Sequence, residues 1–262
     1  MDPCLSTTIF KPKGEEGLPL EPTLAPIRDA GFRWIEISRK HHGITHCAER
    51  IRRAGLQVWS IHGALGGGTL STQASERRAA LEAEVRRMED AAPFAPCPYV
   101  IHYLDRRTDR SVGERWRGCV QDLLAHAERL GFNVAVESTP YKPEVDERFA
   151  TSAEVAEFVR GLRSDFASVC LDLNHSNLQE DLVDVARNFH GLISNIHVSD
   201  NHGHREEHLL PGEGTINLPK ALRAIVAARY DGPCNLECHT PGLPTPDDLV
   251  GLRAWAEGVE VH

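Results

Sequence analysis

The feature that most narrows the fold is an alternation. Short β-branched and apolar runs are followed by longer helical patterns, again and again, along all 262 residues. The short runs are CLSTTIF (4–10), FRWIEIS (32–38), LQVWSIHG (56–63), PYVIHY (98–103), FNVAVES (132–138), SVCLDLNH (168–175), LISNIHVSD (192–200) and GPCNLECH (232–239). Between and after them, 21–30, 44–54, 73–91, 112–130, 153–163, 180–190, 217–229 and 246–257 read as helices. Gly31, Gly55 and Gly131 supply helix stops, and Thr151-Ser152 and Thr245 supply caps. Strand–helix alternation predicts a parallel sheet covered by helices. About eight such units in roughly 250 residues predict an α/β fold of one kind, a (β/α)8 TIM barrel. A doubly wound open sheet would be favoured by a glycine fingerprint after the first strand. KPKGEEG (11–17) is not GxGxxG, and no nucleotide cofactor is expected. No linker, low-complexity tract or charge block divides the chain, so residues 1–262 read as one domain.

Composition bounds the function classes. Hydrophobic residues are 41% and charged residues 26%, ordinary for a soluble globular protein. No apolar run approaches the roughly 18 residues of a spanning helix. The N-terminus lacks a basic stretch followed by a long apolar one, so the expectation is a cytoplasmic protein with no membrane partner. None of the seven cysteines forms a CxxC pair, and they read as reduced thiols in or near the core. A net charge of −9 weighs against nonspecific nucleic-acid binding. Acidic barrels with apolar helix faces often pair, which leaves a homo-oligomer open.

In a barrel of this kind the active site forms at the C-terminal ends of the strands. The third run ends at His62, the fourth at His102 and the fifth at Glu137. The sixth carries Asp172 and then His175, the seventh ends at His197, and the eighth carries Glu237. One such residue is more often a hydrogen-bonded structural group. Six consecutive strands ending this way are different, because carboxylates so close together repel unless a cation neutralises them. Imidazole and carboxylate without thiolate suit Zn²⁺, Mn²⁺, Co²⁺ or Mg²⁺, with Zn and Mn foremost. The stretch NIHVSDNHGHREEHLLPGEG (195–214) is the richest in such groups. His202 and His204 fit a solvated tip equally well. The LLPG that follows His208 is placed to pin it at the barrel mouth. Glu206, two residues earlier, can face the same way on extended backbone.

The Glu of VAVES, the Asp-x-x-His of LDLNH, the NIHVSDN…H-LLPGEG block and the Glu of NLECH together resemble the xylose-isomerase-like TIM-barrel superfamily. That superfamily includes sugar-phosphate isomerases and epimerases and the endonuclease IV type of abasic-site nuclease. The resemblance covers nearly the whole barrel; its motifs separate members poorly. It implies a metal site of Glu137, Asp172, His197 and Glu237, with the two glutamates also handling protons on opposite faces of the substrate and His175 contacting substrate. For the nuclease branch it implies three zinc ions and a larger set that adds His62, His102, His175, Glu206 and His208. That branch has Asp-x-His where this chain has Glu206-Glu207-His208, a longer arm.

The first expectation is therefore a divalent-metal-dependent isomerase or epimerase of a small sugar, sugar phosphate, polyol or keto-acid. Its chemistry is proton abstraction α to a carbonyl through a metal-stabilised enediolate, with Glu137 and Glu237 as acid/base partners. Glu36 and Arg205 are the expected substrate contacts beside His175. Trp34 and Trp59 read first as barrel packing and second as pocket lining. The second expectation is multi-zinc phosphodiester hydrolysis of abasic DNA, for which RKHHG (39–43) is the best local phosphate contact. Acidic balance and few basic-aromatic loops weigh against it. A metal-dependent dehydratase lies between the two. A non-catalytic sugar-binding barrel ranks last, because both acid/base candidates are present.

Overall fold

The strands are β1 (Pro3–Ser6), β2 (Trp34–Ile37), β3 (Gln57–His62), β4 (Pro98–His102), β5 (Asn133–Glu137), β6 (Ala167–Asp172), β7 (Ile193–His197) and β8 (Cys234–Leu236). These assignments come from a computed structural model that describes residues 1–10, 19–41 and 43–260. From β1 to β7 each strand pairs in parallel with the next, and β1 also pairs with β8. Val198 closes the remaining seam. Its N–H donates to the Asn235 carbonyl at 2.8 Å, and its own carbonyl accepts from the Glu237 N–H at 3.0 Å. The result is the (β/α)8 barrel that the alternation predicts.

The helices are α1 (Glu21–Asp29), α2 (Ala48–Arg53), α3 (Ala74–Asp90), α4 (Arg110–Leu130), α5 (Ser152–Gly161), α6 (Leu173–Ser176), α7 (Leu182–Asn188), α8 (Leu218–Ala227) and α9 (Pro246–Gly258). Their ends follow local chemistry. Asp109 accepts from the Ser111 N–H at 2.9 Å to start α4, and Gly131, with φ +83°, ends it. Trp116, Val120, Leu123, Leu124 and Ala127 form its buried stripe. Thr151 with Glu154 and Thr245 with Asp248 make capping boxes at α5 and α9. Among the described residues no helix is long and apolar enough to cross a membrane.

Some runs are shorter as strands than their apolar patterns. β1 stops at Ser6, and Thr7–Phe10 turns into a 3-10 helix. The Thr7 hydroxyl accepts from the Ser38 N–H at 2.9 Å and lies 2.9 Å from a His41 ring nitrogen, ties that hold this turn against the loop after β2. SVCLDLNH is strand only to Asp172, whose carboxylate accepts from the His175 N–H at 2.7 Å and so caps α6. KPKGEEG and His42 of RKHHG lie outside the described residues.

Two interiors result from the period-2 alternation of each strand. Val134 and Val136 pack with the helices in the large apolar core. Ala135, between them, joins Val100 and Cys170 in a separate small cluster, the inside of the barrel. Small side chains there leave room for a polar layer of Glu36, Ser60, Asn195 and Asn235, all fully buried. All seven cysteines are buried and free.

Candidate active site

Among the described residues, four groups of ligand-type side chains meet at the C-terminal ends of the strands. Glu137, Asp172, His197 and Glu237 form the central one; His62, His102 and Glu137 form the second; His175, Glu206 and His208 form the third; and His62, His197 and Glu237 form a fourth that overlaps the first two. Within each group the potential ligand atoms lie within 4.8 Å of one another. Glu137 joins the first two. Its Oε2 is 3.2 Å from His62 Nε2 and 3.3 Å from His102 Nε2, while its Oε1 is 3.4 Å from His197 Nδ1. His197 Nδ1 also lies 3.0 Å from Glu237 Oε2 and 3.7 Å from Asp172 Oδ2. In the third group Glu206 Oε1 is 3.2 Å from His208 Nε2 and 3.5 Å from His175 Nε2.

Local structure explains how these residues converge. The parallel strands all end at one face, so His62, His102, Glu137, Asp172 and His197 are each the last residue of a strand. The Asp-x-x-His spacing is one capping turn, which lifts His175 over Asp172. Asp200 pins the loop that carries Glu206 and His208. It accepts from the Asn201 and Ile216 N–H groups through Oδ1 and from the Gly212 N–H through Oδ2, and its backbone bridges to Leu209. His208 then adopts a left-handed φ of +53°, unusual for a non-glycine residue, and its ring is buried at the mouth.

Hydrogen bonds select which imidazole nitrogens can ligate. His62 Nδ1 faces the Gly63 carbonyl at 3.0 Å, His175 Nδ1 the Ser138 carbonyl at 2.9 Å, and His208 Nδ1 the Glu237 carbonyl at 3.1 Å. A carbonyl only accepts, so each Nδ1 carries the proton and each Nε2 presents its lone pair. His197 is turned the other way. Its Nε2 lies 2.9 Å from Glu36 Oε2, which leaves Nδ1 toward the three ligand carboxylates. His102 differs again. The Arg39 guanidinium, which only donates, lies 3.4 Å from its Nδ1 and steers the proton to Nε2. His102 must change tautomer to ligate.

The donor set fits a divalent cation. Glu137 Oε2, Asp172 Oδ2 and His175 Nε2 are buried without a hydrogen-bond partner, although imidazole nitrogens approach Glu137 Oε2 and Asp172 Oδ2. Buried polar atoms of that kind are otherwise satisfied. Burial disfavours charge on the imidazoles, yet the surrounding acidic groups outweigh it and raise His62, His175, His197 and His208. Burial prevails at His102, which is lowered. Burial likewise opposes ionisation of Glu137, Glu206 and Glu237, and the facing histidines outweigh it and lower all three. Positive charge is wanted here, and protons supply it where an ion does not.

A cavity of about 290 Å³ opens above these groups, with Glu137, His175, Glu206, His208 and Glu237 in its wall. Two expected substrate contacts are placed elsewhere. Glu36 is fully buried beneath His197 and does not reach the cavity, because it projects into the barrel below the ring of ligand-type residues at the strand ends. Arg205 has a side chain 79% exposed and pairs with Glu207 at 3.2 Å, at the outer tip of its loop. Trp34 and Trp59 pack edge to face, 6.0 Å apart, and line a hollow with the first residues of β4 and β5, at the opposite end of the barrel. His202 is half exposed and pairs with Glu207, and His204 is exposed. Sequence reasoning missed Arg106, Lys142 and His239 in the cavity wall. Their signal was position alone, just past the ends of β4, β5 and β8.

Comparisons with known proteins agree with this architecture. An uncharacterized protein, y4fM, of Sinorhizobium fredii is 28% identical over 249 residues, covering 80% of this chain and 78% of that protein. Among solved structures, a D-tagatose 3-epimerase-like protein superposes with a TM-score of 0.81 at 18% identity, over 98% of this chain and 96% of that one. A 3-keto-D-glucoside 4-epimerase from E. coli superposes with a TM-score of 0.78 at 18% identity, over 98% and 99%. At such identities these likenesses are of fold. A family model described as xylose isomerase-like TIM barrel matches residues 24–260, and the chain belongs to that family.

Proposed function

We propose that this chain is a divalent-metal-dependent isomerase or epimerase of a small carbohydrate-like substrate. The observation that carries the reading is the entry of Glu137 from β5 and Glu237 from the end of β8 into one four-residue ligand group that also walls a small-molecule cavity. The sugar epimerases among its fold relatives support it. When bound, a divalent ion supplies Lewis-acid stabilisation of negative charge on substrate oxygen. Imidazole and carboxylate donors suit Zn²⁺ or Mn²⁺ first, then Mg²⁺ or Co²⁺. The protein's own part is proton transfer. The facing histidines shift both glutamates toward the ionised form, so either can accept a proton from carbon α to a carbonyl. Inversion of that carbon then requires the other glutamate to have taken up a proton from solvent, which it delivers from the opposite face, while the first releases its proton to solvent to close the cycle. Burial of both carboxylates keeps competing water away from the proton in transit.

The test is solvent-deuterium incorporation into a panel of ketoses by protein loaded with Mn²⁺ or Zn²⁺. Exchange that disappears in Glu237→Gln supports the reading. Full exchange in that variant sinks the two-glutamate mechanism.

A second reading is multi-ion phosphodiester hydrolysis. The specific observation in its favour is the set of further ligand-type groups flanking the central one, which reach out from it to His62, His102, His175, Glu206 and His208. Turnover of an abasic-site oligonucleotide well above a Glu137→Gln control would replace the first reading with this one.

A further inference from the structure

We infer that Glu84, a buried carboxylate on α3 that belongs to none of the ligand-type groups, is a positioning residue that holds His62 against Glu137. The inference rests on the mouth of the barrel being the active site proposed above. The sequence of α3 is unusual where the helix meets the barrel. Its buried residues are Glu84 and Met88. A core-facing helix position ordinarily takes an apolar side chain. A buried carboxylate is costly unless it is hydrogen-bonded. Glu84 is 3% exposed, and its Oε1 accepts from the Ala64 N–H at 2.9 Å and from the Tyr99 hydroxyl at 2.7 Å. Burial and the carboxylate itself keep that hydroxyl protonated, so it donates to Glu84.

The Ala64 N–H belongs to the same peptide unit as the Gly63 carbonyl, and that carbonyl accepts from His62 Nδ1 at 3.0 Å. A trans peptide is planar, and its N–H and C=O point in opposite directions. The Glu84 carboxylate therefore fixes the direction of the carbonyl that orients the imidazole, and its charge makes that carbonyl a stronger acceptor. At the other end of the ring, Nε2 lies 3.2 Å from Glu137 Oε2. One line of contacts thus runs from α3 through a peptide and an imidazole to a proposed acid/base carboxylate. A proton or an ion between Nε2 and Glu137 gives the ring positive charge, and a carboxylate behind the peptide favours that state. The loop 63–68, GALGGG, has four glycines and little stiffness of its own, so the tie to α3 supplies it. Gly63 is what lets the carboxylate approach. A Cβ there would stand 2.5 Å from Glu84 Oε1, 2.6 Å from Tyr99 Cε1 and 2.9 Å from the Val100 carbonyl oxygen. The Gly63 N–H donates to that Val100 carbonyl at 2.7 Å, so the peptide before Gly63 is anchored to β4 and the peptide after it to α3.

The experiment reads the His62 Nδ1–H by nuclear magnetic resonance in nitrogen-15-labelled protein loaded with Zn²⁺. The signal is assigned by its loss in His62→Gln. Glu84→Asp keeps the charge but withdraws the carboxylate by one methylene, and solvent exchange of that proton is expected to quicken by about tenfold. Glu84→Gln keeps an acceptor of the same reach without the charge, and should quicken it by about threefold. Tyr99→Phe removes the other bond to Oε1 and should leave the proton at its wild-type rate. In solvent-deuterium incorporation into the ketose panel, kcat should fall in the same order, by up to about tenfold at unchanged KM and Zn²⁺ content, because a displaced imidazole misaligns Glu137. Wild-type exchange of the Nδ1 proton in both Glu84 variants would overturn the inference. So would an equal increase in Tyr99→Phe, which would reduce Glu84 to a packing residue whose loss loosens the loop in general. The proton is read without turnover, so a response in the Glu84 variants with no deuterium incorporation by wild-type protein would uphold the positioning role and count against the isomerase reading alone.

Discussion

Glu36 Oε2 lies 2.9 Å from His197 Nε2, inside the barrel and directly beneath the central ligand group. The same oxygen accepts from Ser60 Oγ at 2.7 Å, Asn235 Nδ2 at 3.0 Å and Asn195 Nδ2 at 3.1 Å, while Oε1 has no partner. A carboxylate behind an imidazole fixes its tautomer and makes the other nitrogen a better donor to a cation. In Glu36→Gln the amide nitrogen can take the unpartnered side and leave the four donors satisfied. The expected result is a loss of roughly 10–100-fold in ion affinity by chelator competition, with little change in melting temperature. Glu36→Ala, which strands buried donors, should instead destabilise the fold by about 3–5 kcal/mol. Wild-type ion affinity in Glu36→Gln would show that the orientation of His197 is set by packing alone.

Ion stoichiometry separates the two functional readings. Elemental analysis of purified protein is expected to find about one ion per chain for the isomerase reading and up to three for the hydrolase. His175→Ala should lower a count above one and leave the central group filled. His102→Ala should matter least, because Arg39 holds His102 in the tautomer that does not ligate.

The pH dependence follows from the direction of each shift. His62, His175, His197 and His208 are raised in the folded protein. Their contribution is full below the unfolded imidazole value of about 6.5 and is lost as pH rises through the raised values. Glu137, Glu206 and Glu237 are lowered, so theirs is full above about 4.3 and lost as pH falls through the lowered values. Metal-depleted protein should therefore melt at progressively lower temperature as pH rises past the ordinary imidazole range. Added Mn²⁺ should abolish that loss and bind more tightly at higher pH, because it replaces protons. A metal-free melting curve that climbs into the alkaline range would contradict this account.

The loop that carries Glu206 and His208 depends on close packing at Gly214. A Cβ there would stand 2.4 Å from both the Asn201 carbonyl oxygen and Asp200 Oδ1. Gly214→Ala is expected to cost roughly 1–3 kcal/mol by forcing the loop outward. It should weaken the third ligand group before the central one, which thermal melts and ion titration on the same sample would reveal together.

Much of this was legible in the chain. The strand–helix alternation is a local property, and it specified the barrel because a parallel strand pair needs a crossover. The end-of-strand positions of His62, His102, Glu137, Asp172 and His197 were readable for the same reason: parallel strands deliver their last residues to one face. Thr151 and Thr245 signalled their caps through nearest-neighbour chemistry. The reach of Glu36 and Arg205 was not readable. Both are polar residues near strand ends or in a mouth loop, yet one points into the barrel beneath His197 and the other into solvent.

By itself, then, the sequence determined the barrel, the ring of ligand-type residues at the strand ends and the pairing of Glu206 with His208. Only the tertiary structure decided that Glu36 backs His197, that Glu137 joins two ligand-type groups, and that Arg39, Arg106 and Lys142 gather at the cavity while Arg205 does not. The difference is physical. Periodicity and strand ends are set within a few residues, whereas the depth of a side chain depends on the stagger between strands and on the paths of loops far apart in sequence.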